Sequence, residues 1–246
     1  MSPKTNAASI LTCPAFDRFT GIRHGFSIRG VTPSDGAWPF PPAHSGEQVH
    51  GAQIACVSGT PGSDALRYGD NRIAGVDALI TNSAETPIAV RSADCMPILL
   101  ADSETGAIAA VHAGWRGTAK RILERTIDEL QKNFGAKPEN IYAALGPAIG
   151  PCCFKVRADV IDAFQKLGHP VSGYTQPKSE ESWMLDLRGL NEHQLIEKGV
   201  PPLHIFTVGG CTACHPGDYP SYRRDGSSSE RINAIIWKEG TSHARR

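Results

Sequence analysis

Between Val90 and Thr118 the chain carries two short apolar runs, Pro97 to Ala101 and Ala107 to Val111, separated by Asp102-Ser-Glu-Thr-Gly106. Apolar runs flanking a cluster of Asp, Ser, Thr and Gly predict strand, turn and strand, because those residues supply local hydrogen bonds and left-handed backbone where a chain reverses. An antiparallel hairpin brings its two outer ends together. Cys95 stands just before the first strand and His112 at the end of the second, so the hairpin is expected to set a thiol beside an imidazole. Past His112, Ala113-Gly-Trp-Arg-Gly117 has two glycines that permit close backbone approach. Thr118 is expected to cap a helix whose first N–H groups would lie beside the Cys/His pair and favour an anion such as phosphate.

The rest of the chain supplies the frame. Strands are expected over Ile22 to Ile28, over Ala52 to Val57 with His50 at its mouth, and over Gly75 to Thr81, Ile141 to Leu145, His204 to Val208 and Arg231 to Trp237. Helical spacing places Ile122, Leu123, Ile127, Leu130 and Phe134 on one face of a helix from Thr118 to about Asn133, stopped by Gly135. A second helix, Arg157 to Leu167, carries Val160, Ile161, Phe164 and Leu167 on its apolar side, and a third, Leu187 to Lys198, ends at Gly199 before Pro201-Pro202. Val31 to Ser45, with Pro33, Pro39, Pro41 and Pro42, reads as loop, as do the glycine-rich stretch up to Ala74 and the polar residues 168–182. Strands and helices alternate only in part, which predicts an α/β fold with a mixed sheet covered by helices. With 246 residues, 40% of them apolar, the chain can bury a substantial core as one large domain or two small ones.

Charge narrows the function classes. Twenty-five basic residues balance twenty-five acidic ones, which gives no electrostatic reason to expect nucleic acid or a membrane surface as partner and makes a small molecule the default. The N-terminal MSPKTNAASILTCPAFDR lacks a long apolar run, and no stretch approaches the roughly 20 residues a membrane helix needs, so a cytoplasmic protein is expected. Seven cysteines without a signal peptide point to free thiols or metal ligands rather than a disulfide framework.

His50, Cys95 and His112 are candidates for a set of three donors of the kind that holds a catalytic zinc with one position left open, against a buried structural cysteine with two unrelated histidines. Cys95 and His112 alone equally suit a cysteine nucleophile and its base, and residue type does not choose between the two. Asp94 is a candidate to orient a histidine, or a turn residue. Cys211-Thr-Ala-Cys214 and the vicinal pair Cys152-Cys153 are read by default as buried free thiols, with a four-cysteine metal site as the alternative. Arg116, Arg223 and Arg224 are candidates for clamping a phosphate or carboxylate, against ordinary bridging arginines, and Tyr222 ends a Tyr219-Pro-Ser-Tyr222 run whose rings could stack on a base.

Six motifs occur in order: EQVHG at 47–51, GVDALIT at 75–81, RSADCMPILLAD at 91–102, AAVHAGWRGT at 109–118, LGPAIGPCCFKV at 145–156 and YRRDG at 222–226. Together they resemble the YfiH/laccase-domain family, historically called multicopper polyphenol oxidase, over nearly the whole chain. The resemblance implies a single α/β domain over residues 1–246 and a zinc-dependent purine-nucleoside enzyme whose metal ligands correspond to His50, Cys95 and His112. It also implies phosphorolysis of adenosine, inosine and S-methyl-5'-thioadenosine, with adenosine deamination as a second activity. Purine nucleosides and phosphate are then the expected partners, with the oligomeric state open and a monomer favoured, with Arg116, Tyr222, Arg223 and Arg224 as substrate contacts and Arg116 joining the three ligands in catalysis. A peptidoglycan-editing role has also been attached to bacterial members.

Two departures fall in the C-terminal loop region. Ser227-Ser-Ser-Glu-Arg231 replaces the usual threonine-glycine-arginine after RRDG, and Ala213-Cys-His-Pro216 forms an unusual loop after Cys211. The old oxidase name meets a chemical obstacle: none of the nine histidines lies within three positions of another, so a trinuclear copper cluster built from His-x-His pairs is excluded. Zinc, or a single copper, is what the chain supports. The alternatives are a copper-dependent polyphenol oxidase, a cysteine hydrolase in peptidoglycan-precursor editing with Cys95 as nucleophile and His112 as base, and a non-catalytic metal- or nucleotide-binding module.

Overall fold

A computed structural model describes residues 10–31, 40–59, 72–228 and 230–240. The expected hairpin is at its centre, with Met96–Asp102 paired antiparallel to Ile108–Ala113 in a register that sets Pro97 opposite His112. The turn forms for the reason its composition suggests. Asp102 Oδ1 accepts the N–H groups of Glu104 (2.9 Å) and Thr105 (2.7 Å), and Gly106 takes the left-handed φ of 69° that closes the reversal.

Around the hairpin a six-stranded sheet runs in the order Ile205–Thr207, Ile141–Leu145, Met96–Asp102, Ile108–Ala113, Ala78–Thr81, Ile54–Cys56. Its two outermost pairings are parallel and the inner three antiparallel, so the sheet is mixed, as expected. Both faces are buried. Ile80, Ile98, Leu100 and Val111 pack against Ile122, Leu123, Ile127 and Leu130 of the helix Ile122–Phe134. Leu79, Leu99, Ile108 and Ala110 face the other way onto Phe26, Val90, Ala234 and Ile236. Those residues belong to a second, five-stranded sheet ordered Ile10–Leu11, Ile22–Ser27, Ile232–Lys238, Ile88–Ser92, His44–Ser45. Helices thus cover one face of the central sheet and a second sheet covers the other. A strand buried on both sides reads as a continuous apolar run, as Ile98-Leu-Leu-Ala101 does.

A smaller antiparallel sheet of Lys155–Val156, Ser182–Leu185 and Thr175–Ser179 packs with the helix Ala158–Lys166 around Phe154, Phe164 and Leu185. Residues 168–182, expected as loop, therefore contain the strand Thr175–Ser179, whose residues are mostly exposed and polar. Leu167, expected on the apolar side of its helix, follows the helix end and is 49% exposed.

The expected helix from Thr118 is two helices, Trp115–Ala119 and Ile122–Phe134, broken where Arg121 adopts a left-handed φ of 60°. Thr118 is not a cap. It lies buried inside the first helix, where its hydroxyl donates to Asn191 Oδ1 (3.2 Å) and its carbonyl accepts from Gln194 Nε2 (2.7 Å), while Gly114 holds the N-cap position. Those two bonds lock it onto the helix Leu187–Glu197, which ends as expected before Gly199 at φ 93°. Pro33, Pro39 and most of the glycine-rich stretch before Ala74 lie outside the described residues. Among the described residues no helix is long and apolar enough to cross a membrane.

Candidate metal centre and its cavity

The hairpin register carries His112 to the mouth of the central sheet, opposite Pro97, with Cys95 one residue before the strand Met96–Asp102. His50 arrives from the loop ahead of Ile54–Cys56, at a left-handed φ of 59° that non-glycine residues seldom adopt. The ligand-capable atoms of His50, Cys95 and His112 all lie within 4.8 Å of one another, and the two imidazole rings meet edge to face with centroids 5.0 Å apart. Gly114 makes room for them. A Cβ at that position would stand 2.7 Å from Cys95 Sγ and 3.2 Å from His50 Cδ2.

Asp77 ties these parts together. The register Ala78↔Val111 sets Asp77 beside His112, whose backbone N–H donates to the Asp77 carbonyl at 2.8 Å and whose Nδ1 lies 2.8 Å from Asp77 Oδ1. The same carboxylate accepts the backbone N–H groups of Val49 (3.2 Å), His50 (3.0 Å) and Gly51 (2.7 Å), so one buried side chain holds the His50 loop in its strained conformation and also orients His112. Burial pushes the Asp77 carboxyl up, and the bonds from His112 and Gly51 outweigh it and hold the group ionised below the ordinary range. With Nδ1 engaged, His112 offers Nε2 to the cluster.

The electrostatics suit a cation. Burial alone would raise the Cys95 thiol, but its hydrogen bonds to His112 and His50 outweigh that and lower it to about 6. Burial lowers His112, but Asp77 and then Cys95 outweigh that and raise it to about 9. Near neutral pH the pair is a thiolate facing an imidazolium, and a metal ion would meet a sulfur already in its ligand form and displace one proton.

The cluster forms the floor of a cavity of about 920 Å³. Trp115, Ile149, Phe154 and Leu187 give it an apolar wall, and Arg72, Arg91, Arg116, Arg223 and Arg231 bring guanidinium groups to its lining. Arg116 is exposed, lies over the Trp115 ring at 4.3 Å, and has no carboxylate partner among the described residues. A cavity with an apolar wall, several guanidinium groups and a three-donor floor suits a ligand that joins a flat ring system to an anion.

Residues 37–239 match a family model described as "Multi-copper polyphenol oxidoreductase laccase". The chain belongs to this family. Among its relatives, "Purine nucleoside phosphorylase YlmD" of Geobacillus stearothermophilus is 37% identical over 191 residues, which cover 77% of this chain and 70% of that one. "Adenosine deaminase RL5", from an unknown prokaryotic organism, is 34% identical over 194 residues, covering 78% and 73%. The crystal structure of YlmD from Geobacillus stearothermophilus superposes with a TM-score of 0.85 at 31% identity, covering 96% of this chain and 98% of that one.

In this family member the fold brings six of the seven expected site residues together: His50, Cys95, His112, Arg116, Tyr222 and Arg223 all line the cavity. It does not bring Arg224 with them. That guanidinium donates to both carboxylate oxygens of Asp225 and to the carbonyls of Thr212, Ala213 and Tyr219, which makes it a brace. Arg223 lines the cavity but also donates from Nη1 to the carbonyls of Cys153 (3.2 Å) and Lys155 (3.3 Å). Asp94 does not orient a histidine. Its carboxylate accepts from the Thr212 hydroxyl (2.5 Å) and the Arg223 backbone N–H (2.6 Å), and it sits at φ 85° beside Cys95.

Sequence reasoning missed Asp77, whose only signal was an acidic residue heading a strand too apolar to leave it in water. It missed the strand Ile88–Ser92 as well, whose end delivers Arg91 and Ser92 to the cavity lining.

Proposed function

We propose that this family member is a zinc-dependent purine nucleoside phosphorylase of the cytoplasm, a single domain over residues 1–246, acting on adenosine, inosine and S-methyl-5'-thioadenosine, with adenosine deamination as a second activity. The observation that carries the reading is the meeting of His50 from a loop, Cys95 from just before one hairpin strand and His112 from the other, with Asp77 behind His112, at the floor of an arginine-lined cavity. Two imidazoles and a thiolate with an open side toward the cavity fit zinc. A single copper is the competing ion, and a copper cluster lacks the further histidines it requires. Zinc held there supplies Lewis acidity at the cavity floor.

The chain's own residues do the rest. Trp115, Phe154, Ile149 and Tyr222 take the purine ring system, whose faces gain from apolar and aromatic contact. Arg116, with Arg223 beside the same cavity, binds phosphate through charge-assisted hydrogen bonds and holds an oxygen toward the ribose anomeric carbon. In phosphorolysis a phosphate oxygen bonds to that carbon, the glycosidic C–N bond breaks, and its electron pair leaves with the purine, which takes up a proton. In deamination water adds at the purine C6 and ammonia departs. Asp77 fixes the His112 tautomer throughout. The test is product analysis with adenosine and inosine, with and without phosphate: free base and ribose 1-phosphate are expected only with phosphate, and inosine from adenosine without it. Release of neither would overturn the reading.

One observation favours a second reading, a cysteine hydrolase: His112 holds the Cys95 thiol down at about 6, which suits a nucleophile. The His50 ring on the same thiol favours the ligand set. Loss of metal from the cavity on His50→Ala, together with loss of nucleoside turnover, decides for zinc, whereas turnover kept in that variant with no metal in the cavity decides for the metal-free dyad.

A further inference from the structure

Away from the cavity floor, four thiols converge that the proposed chemistry does not use. Cys152 and Cys153 lie in the turn that follows the strand Ile141–Leu145, and Cys211 and Cys214 in the loop after Ile205–Thr207. All four Sγ atoms fall within 4.8 Å of one another, with Cys214 Sγ 3.4 Å from both Cys152 Sγ and Cys153 Sγ. A disulfide would require about 2.05 Å, and the four are free cysteines. Ligands of a tetrahedral zinc thiolate, with Zn–S near 2.3 Å, stand about 3.8 Å apart, a spacing between the 3.4 Å that Cys214 keeps from two of these sulfurs and the 4.8 Å within which all four lie. An iron–sulfur cluster would insert a core of irons and sulfides between them and needs the sulfurs spread farther.

The surroundings hold the sulfurs in place. The Gly150 N–H donates to Cys211 Sγ at 3.2 Å, and a Cβ on Gly150 would stand 3.4 Å from Cys152 Sγ and 3.3 Å from Cys211 Cβ. The two segments are joined by a bridge between Ala148 and Cys211 and by the Thr212 N–H donating to the Ala148 carbonyl at 3.0 Å. Two guanidinium groups hold the cysteine segments by their carbonyls, Arg223 at Cys153 and Arg224 at Thr212 and Ala213. Four thiolates around a divalent ion carry two net negative charges, and the Arg223 guanidinium stands beside them. Default burial as free thiols, the expectation from sequence, is not met: Cys152 and Cys214 are exposed and the other two half-buried.

We propose that Cys152, Cys153, Cys211 and Cys214 bind a single zinc ion in a closed, structural site that clasps the turn lending Ile149 and Phe154 to the cavity wall to the loop after Ile205–Thr207 behind it. Closure by four protein ligands leaves no position for substrate, which separates it in kind from the three-donor floor. It does not rest on the reading of the cavity.

The test uses the full, untagged chain purified anaerobically under reducing conditions. Metal analysis is expected to give about one zinc ion per chain fewer in Cys152→Ser/Cys214→Ser than in its parent, and about one retained in His50→Ala. Cobalt substituted into His50→Ala is expected to give the intense visible bands and sulfur-to-metal charge transfer of a tetrathiolate, and these should be lost when Cys152→Ser/Cys214→Ser is added to His50→Ala. Should that variant fail to fold, the cobalt spectrum of His50→Ala still decides. No tetrathiolate spectrum, iron in place of zinc, the four thiols recovered as disulfides, or zinc content unchanged by the double serine substitution would each overturn the proposal.

Discussion

Replacing Asp77 by Asn changes one carboxylate oxygen to an NH2 group and leaves the shape intact, so it isolates what the charge and the second acceptor do. If nitrogen takes the place of Oδ1, it confronts the His50 N–H and the His112 Nδ1–H. If it takes the place of Oδ2, it confronts the N–H groups of Val49 and Gly51. Either orientation leaves two donors without an acceptor at a residue that is fully buried. At about 1–3 kcal/mol for each buried donor left unpaired, the substitution should destabilise the fold by roughly 2–6 kcal/mol. The Oδ1 orientation offers one escape: His112 can move its proton to Nε2 and accept from the new NH2 group on Nδ1. That exchange blocks the nitrogen that faces Cys95, so the metal site suffers where the fold is spared. Loss of such an orienting partner weakens metal binding about 10- to 100-fold. Urea denaturation reads the first effect, and competition for zinc with a chromogenic chelator, run on a Cys152→Ser/Cys214→Ser background so that only the cavity site reports, reads the second. An Asp77→Asn protein with both the urea midpoint and the zinc affinity of its parent would refute the role assigned to the carboxylate.

Gly114→Ala is expected to fold, because its φ of −72° suits alanine, yet to lose zinc from the cavity as the new Cβ crowds Cys95 Sγ. Circular dichroism and metal analysis check the two halves of that statement. Arg116→Ala should raise the KM for phosphate roughly 10- to 100-fold, the value of a charge-assisted hydrogen bond, while adenosine deamination, which uses water, changes little; equal losses in both reactions would show that Arg116 holds the nucleoside instead. His24 gives the pH dependence. Buried at 7% exposure and accepting the Cys13 N–H at 2.7 Å, it is held down by burial at about 4, whereas in the unfolded chain it protonates near the ordinary 6.5. The unfolded state therefore binds the extra proton, and the contribution is complete above about pH 6.5 and lost as pH falls toward 4, to a total of about 3 kcal/mol. His24→Gln should flatten the fall in urea midpoint across that window, and parallel curves for the two proteins would count against it.

What the sequence made legible were features written in consecutive residues. The hairpin was readable because Asp102 to Gly106 carries its own turn chemistry, and a hairpin fixes the proximity of Cys95 and His112 without any knowledge of the rest of the fold. His50 was readable as a candidate because it stands at a strand mouth, but that it meets the other two follows from Ile54–Cys56 pairing with Ala78–Thr81 and that strand with Ile108–Ala113. The second sheet was hidden because its strands are non-local. Ile22–Ser27 pairs with Ile232–Lys238 across some two hundred residues, and nothing in either strand names the other. The ribbon at Thr175–Ser179 was hidden because an exposed edge strand has no apolar face to show. Arginines were the least legible of all: Arg223 and Arg224 are adjacent in sequence and alike in chemistry, yet one lines the cavity and the other braces the loop behind it.

The two donor clusters are distinct in chemistry but share a support. Asp94 precedes Cys95 and takes a φ of 85° that costs a non-glycine residue on the order of 1–3 kcal/mol. It is held there by the Thr212 hydroxyl, the Arg223 N–H, and the Ile149 N–H that donates to its carbonyl at 2.9 Å. Thr212 lies between Cys211 and Cys214, and Ile149 lies three residues before Cys152. The loops that the four cysteines clasp are therefore the loops that keep Asp94 strained, and Asp94 sets the direction in which Cys95 leaves the backbone. Locking those loops with a metal removes their freedom without placing anything in the cavity, which explains why a chain with a three-donor floor would also keep four thiols behind one of its walls.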